Sequence, residues 1–433
     1  MGKILIRADY LLPGGENWDT IQGTELLIEG GKISYMGPRL NYPVGEIDRI
    51  IEGKNKLVMP GFVNTHTHAA MALFRGYADD MPLMDWLEHK IWPAEARLNK
   101  EDIYWGTMLA ICEMIRGGTT CFADMYFHMG EVARACLESG IRGSLAQGLI
   151  GLDGAQEGEK RLQVSRDLVS DWHGAGEGLI SIMLGPHAPY TCPPQYLEKV
   201  IAVADDLKVP MHIHLAETRG EVQDCLNNWG KRPIELMESI GLFARPVLAA
   251  HCVHLSEDEI KTLVRRQVFI AHNPGSNLKL GSGIAPLADL LEQGALVSLG
   301  TDGAASNNNL DMLEEMRLAA LLAKGSREDP TVLPAREALK MATVNGARSL
   351  FPEEGMGTIR EGSPADLIML DLDKPHFHPY HNLPANIVYA AASADVELVM
   401  VKGKLLMEQR KLLTIDEEKV LHEANERGDR LTQ

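Results

Sequence analysis

From residue 57 to about residue 323, short apolar runs alternate with longer stretches in which apolar positions recur every third or fourth residue. The first pattern predicts buried strands and the second amphipathic helices. Runs at 57–65, 119–124, 142–149, 179–185, 209–215, 247–251, 268–272 and 295–300 give eight strands, with helical stretches at 102–116, 130–139, 194–207, 231–240, 257–266 and 309–323. Eight strands, each followed by a helix or loop, form the pattern of a (β/α)8 TIM barrel, an α/β fold.

The two ends of the chain have another texture. Residues 3–8 and 24–36 read as short strands, the second interrupted by a Gly30-Gly31 hairpin turn. Strands resume after residue 354, at 357–371, 396–402 and 404–407, and a charged helix follows Thr414. The expected organisation is a small flanking β-sandwich module built from both ends (1–56 and 354–433) around a barrel at 57–353.

Composition narrows the class. A net charge of −18, without a Lys/Arg run to offset it, disfavours binding to a nucleic-acid backbone. No run approaches the ~20 apolar residues of a membrane span, and the N-terminus has no apolar stretch fit for a secretory signal. The six cysteines are scattered with no CxxC pair, which argues against a disulfide framework and against a cysteine-rich zinc site. A cytoplasmic enzyme acting on a small molecule is expected, and a homo-oligomer is compatible with this reading.

Pro60-Gly61-Phe62-Val63-Asn64-Thr65-His66-Thr67-His68 ends an apolar run with two histidines two residues apart. Residues i and i+2 of a strand share a side, so His66 and His68 aim at one point, as a transition metal requires. The run at 209–215 ends in His212-Ile213-His214-Leu215-Ala216-Glu217, and that at 247–251 ends in His251. The last run leads into Thr301-Asp302-Gly303. These put His66, His68, His214, His251 and Asp302 at the ends of strands one, five, six and eight, all on the catalytic face of a barrel. Three His and one carboxylate suit Zn²⁺, or Fe²⁺, with room for a water. His212 lies one layer deeper and is expected to be a hydrogen-bonded core histidine, and His254 a loop residue. His187, between Gly185-Pro186 and Ala188-Pro189, sits on rigid backbone. Trp86 and Trp92 could stack on a base or pack between helices.

This set resembles the amidohydrolase superfamily: HxH after Pro-Gly, a histidine on strands five and six, an Asp after strand eight, and a split β-module. No lysine in the strand-four segment 185–190 could bridge two metals, as in the mononuclear aminohydrolase branch. The stretches 92–98, 185–192, 212–218, 272–279 and 301–312 are similar to deaminases of 5′-methylthioadenosine and S-adenosylhomocysteine. The resemblance implies His66, His68, His214 and Asp302 as ligands of one divalent metal. It implies substrate contacts from Glu95, His187, Glu217 and Asp302, and proton transfer by Glu217, His251 and Asp302. A nucleoside would be the substrate, losing its adenine amino group as ammonia. Many relatives carry Arg at the position of Gln147, so Arg161 is the nearby candidate for a charged substrate tail. The alternatives are an aminohydrolase or chlorohydrolase of guanine, a pterin or an s-triazine, and a non-catalytic barrel.

Overall fold

The computed structural model describes residues 2–39 and 46–433. Among the described residues, sixteen strands form two sheets. The first four are β1 (Ile4–Leu11), β2 (Ile21–Glu29), β3 (Lys32–Gly37) and β4 (Arg49–Pro60). The barrel follows with β5 (Phe62–Thr67), β6 (Thr119–Tyr126), β7 (Arg142–Leu149), β8 (Ile180–Pro186), β9 (Met211–Leu215), β10 (Val247–His251), β11 (Phe269–His272) and β12 (Leu296–Leu299). The last are β13 (Leu367–Asp371), β14 (Val396–Val401), β15 (Lys404–Glu408) and β16 (Lys411–Leu412).

Both chain ends join one mixed sheet in the order β16-β15-β14-β13-β4-β1-β2-β3. The β2–β3 hairpin turns through Gly30 and Gly31, both at positive φ, where a residue with a Cβ would be strained. The first barrel strand begins at Phe62, later than the expected 57, because Leu57–Pro60 pair with β13 as the end of β4. Gly61 makes the break between the sheets: a Cβ there would lie 2.2 Å from the Thr120 side chain.

The eight barrel strands pair in parallel in sequence order. Between β5 and β12 side chains complete the closure. Thr65 Oγ1 donates to the Leu299 carbonyl at 2.8 Å, Asn64 Nδ2 to Thr301 Oγ1 at 2.7 Å, and Asp302 N to the His66 carbonyl at 2.9 Å. Gly300 permits this approach, since a Cβ would stand 2.8 Å from the His66 backbone nitrogen. Two apolar layers result. Met211, Ile213 and Leu215 of β9 face the helices, whereas Ala123, Ala146, Leu248, Ala250 and Ala271 line the barrel interior. Small alanines on the inner face leave room at the C-terminal end for imidazole rings. The six cysteines are free and buried. Among the described residues, no helix is long and apolar enough to cross a membrane.

Candidate active site

Phe62 packs in the outer apolar layer and Asn64 reaches Met114 of the helix Lys100–Arg116, while His66 points to the axis. A register irregularity between Asn64 and Thr67 makes the switch. His66 Nε2 lies 3.5 Å, and His68 Nε2 3.3 Å, from Asp302 Oδ1. His214 Nε2 lies 3.3 Å from His68 Nε2. The other nitrogen of each ring is already engaged. His68 Nδ1 donates to the Met125 carbonyl at 2.6 Å and His214 Nδ1 to the His187 carbonyl at 2.7 Å. His66 Nδ1 meets His212 Nε2 at 2.9 Å, so His212 is a hydrogen-bonded core histidine holding a site residue. Such outer contacts fix which nitrogen faces inward.

The site fits a metal ion on its own geometry. His66 Nε2 is buried and has no hydrogen-bond partner among the described residues. The donor atoms of His66, His68 and His214, and those of His66, His251 and Asp302, lie within 4.8 Å of one another. Burial lowers the His66 ring to about 4 and the His187 ring to about 3, so both are neutral at pH 7. Asp302 is buried, which alone would raise its pKa, yet the surrounding imidazoles hold it well below the usual carboxylate range. Its Oδ2 accepts from Ser276 Oγ at 2.6 Å.

Beside this cradle stands an acid–base pair. Glu217 Oε2 is 3.7 Å from His251 Nε2. Burial pushes the Glu217 carboxyl up, and the carboxylates of Glu217 and Asp302 raise His251 against the opposing effect of burial. His251 Nδ1 is fixed by Asn277 Oδ1 at 2.9 Å. Glu221, in the first turn of the helix Arg219–Trp229, accepts from the backbone nitrogens of Ala216 and Glu217, each at 2.8 Å. Ala216, His251, Cys252 and Asp302 all have positive φ. Left-handed backbone at non-glycine residues costs of order 1 kcal/mol or more each, and such strain gathers at functional sites.

The pocket above has a volume of about 890 Å³ with its open mouth included, and His68, Glu95, His187, His214, Glu217, His251 and Asp302 all line it. Glu95 is half-buried and its Oε1 accepts from Tyr126 at 2.6 Å; burial raises its carboxyl to about 6. His187 Nδ1 pairs with Thr191 Oγ1 at 2.8 Å. Trp86 and Trp92 both reach the pocket wall, Trp86 with its indole N–H already given to the Ala78 carbonyl. Arg161 does not reach the pocket. Its guanidinium is bound to the Ile150 carbonyl and to Asp153, which ties down the loop after β7. Gln147 faces the Met129 backbone nitrogen at 3.4 Å. The residues that sequence reasoning missed are the supports: Tyr126, Ser276, Asn277, Ser282 and Glu221. Ser276 and Asn277 lay in a stretch that had stood out only as a whole.

A family model described as "Amidohydrolase family" matches residues 57–406. The chain belongs to the amidohydrolase family. A "5-methylthioadenosine/S-adenosylhomocysteine deaminase" of Syntrophomonas wolfei is 53% identical over 99% of both chains, and its namesake in Moorella thermoacetica is 52% identical over 99% of both. Among solved structures, an adenosine deaminase from Xanthomonas campestris with bound zinc superposes with a TM-score of 0.94 at 36% identity, covering 99% of this chain and 98% of that one. An atrazine chlorohydrolase from Arthrobacter aurescens complexed with zinc gives a TM-score of 0.90 at 26% identity, covering 98% of this amidohydrolase and all of the other, 100%.

Proposed function

We propose that this amidohydrolase removes the adenine amino group of 5′-methylthioadenosine and/or S-adenosylhomocysteine, and of adenosine as a smaller relative, giving the inosyl nucleoside and ammonia. The observation that carries this reading is Glu217: a buried carboxyl with a raised pKa, beside the imidazole–carboxylate cradle at the pocket floor. Relatives more than half identical along the whole chain bear the name of that deaminase.

His66, His68, His214 and Asp302 would hold one divalent metal, and imidazoles with a carboxylate favour Zn²⁺. Such an ion supplies the Lewis acidity that makes hydroxide available near neutral pH. Glu217 donates a proton to ring nitrogen N1, which makes C6 electrophilic. Asp302, held anionic, accepts the proton of the attacking water. His251, locked by Asn277, turns Nε2 toward the same place and shares that proton. The amino group leaves as ammonia once it is protonated. Glu95 receives a ribose hydroxyl on Oε2, since Tyr126 occupies Oε1. His187 presents Nε2 to the base edge. The reading carries with it a cytoplasmic enzyme of a small-molecule substrate, with no nucleic-acid partner.

The test is ammonia release by the metal-loaded protein from 5′-methylthioadenosine, S-adenosylhomocysteine, adenosine and guanine. Turnover of the adenine nucleosides is expected. Release from guanine alone would move the assignment to a sister aminohydrolase, and release from none would contradict it.

A further inference from the structure

We infer that Ser282 is a positioning residue for this reaction: its hydroxyl occupies Oε1 of Glu217, so that the proton delivered to the substrate is carried on Oε2. The inference rests on the deaminase reading above. Ser282 Oγ donates to Glu217 Oε1 at 3.2 Å, and both residues are buried. Oε2 is the oxygen that faces His251 Nε2, at 3.7 Å. A carboxyl oxygen that accepts a hydrogen bond is the less basic of the two, so the acidic proton rests on the other. Without the serine, the carboxyl is free to turn and to present either oxygen.

The serine is itself held from behind. His254 Nε2 donates to the Ser282 carbonyl at 2.7 Å. The His254 carbonyl accepts from Arg232 Nη2 at 2.7 Å, and Arg232 Nε is bound to Glu259 at 2.7 Å. Next to Ser282, Gly283 adopts φ +129, and a Cβ on it would stand 3.2 Å from Val253. This loop thus runs close against the Val253 and His254 side chains, in a backbone conformation that favours glycine. Gly283 N also donates to the Asn277 carbonyl at 3.3 Å, and Asn277 is the partner of His251 Nδ1. A single segment after β11 therefore sets both members of the acid–base pair, Asn277 for His251 and Ser282 for Glu217. His254, a bare loop residue in the sequence, becomes the strut of that arrangement.

The experiment compares Ser282→Ala, Ser282→Thr and His254→Phe with the unchanged metal-loaded enzyme, assayed first to establish deamination. If that enzyme deaminates no nucleoside, the deaminase reading fails, not this inference alone. With deamination established, Ser282→Ala should lower kcat about tenfold with KM within about twofold, because alignment of the proton donor is lost while binding is kept. The basic limb of its kcat–pH profile should move to higher pH, since the lost hydrogen bond favoured the ionised carboxyl. Ser282→Thr, which keeps the hydroxyl, should recover most of kcat. His254→Phe should change kcat in the same direction by less. Metal content and melting temperature are measured on each variant. An unchanged kcat and pH profile in folded, metal-replete Ser282→Ala would overturn the inference. So would a loss of kcat that merely tracks lost metal or lost folded protein. Should Ser282→Ala not fold, a wild-type kcat and pH profile in His254→Phe would overturn it equally.

Discussion

The Nε2 atoms of His68 and His214 face each other across 3.3 Å, both turned to one point at the barrel mouth. Both Nδ1–H groups are already given to carbonyls, of Met125 and of His187. With Nδ1 so engaged, each ring turns its Nε2 toward the other. A cation held beside them would take both nitrogens as ligands, with Asp302 Oδ1 at 3.3 Å from His68 Nε2 completing its surroundings.

The first prediction follows from that contact. The purified protein should carry about one divalent metal per subunit, and removing it with a chelator should lower the melting temperature. Zn²⁺ present at about a thousand times its dissociation constant stabilises the folded state by roughly 4 kcal/mol, so adding it back should restore the transition. Elemental analysis giving two metals per active chain would contradict the single-ion site.

Glu95 supplies a pH dependence. Burial raises its carboxyl to about 6, against the pull of the Tyr126 hydroxyl. Below that pH it is neutral and a poorer acceptor for a ribose hydroxyl. KM for nucleosides should therefore rise as pH falls through about 6, and Glu95→Ala should raise KM at pH 7 and flatten the profile. The loss of a hydrogen bond to a charged group, about 1.5–3 kcal/mol, corresponds to a tenfold or larger effect. For stability the sign is opposite to the usual carboxylate. The folded state binds more protons between 4.5 and about 6, so this group's contribution to stability declines as pH rises through that window. A KM flat with pH in the unchanged enzyme would count against Glu95 as the ribose ligand.

The mouth of the pocket bears on the substrate's tail. Among the described residues no Lys or Arg lines it, and Leu83, Leu87, Trp92, Phe127, Ile150 and Leu280 do. Arg161 is spent on Ile150 and Asp153. An apolar wall accepts a methylthio group and offers the carboxylate of a zwitterionic homocysteine tail no Lys or Arg partner among the described residues. The expected kcat/KM for 5′-methylthioadenosine is at least that for S-adenosylhomocysteine. A preference of more than tenfold for S-adenosylhomocysteine would contradict this account of the mouth.

What the sequence made legible was whatever repeats along the chain. Strand periodicity placed His66, His68, His214, His251 and Asp302 at one end of the barrel, and the structure brings them together there. It also marked His212 as a hydrogen-bonded core residue, which it is. The start of the first barrel strand was misplaced because Leu57–Pro60 are as apolar as the strand that follows, and only pairing with β13 assigns them elsewhere. Arg161 was misjudged because nearness in sequence does not tell which way a long side chain turns. Ser282 and Tyr126 could not be read at all, and Asn277 only as part of the stretch 272–279. Each acts through a partner on a different loop or strand, 65 residues away for Ser282 and Glu217, and no local pattern records such a contact.

The most direct measurement of the central claim is ammonia release from 5′-methylthioadenosine by Glu217→Gln at matched metal content. The amide keeps the shape and the contact with Ser282 but has no carboxylic proton to give N1. A fall in kcat of roughly 10²-fold or more with metal unchanged is the predicted result. Full activity in this variant, or loss of its metal, would contradict the assignment of Glu217 as the proton donor beside the metal cradle.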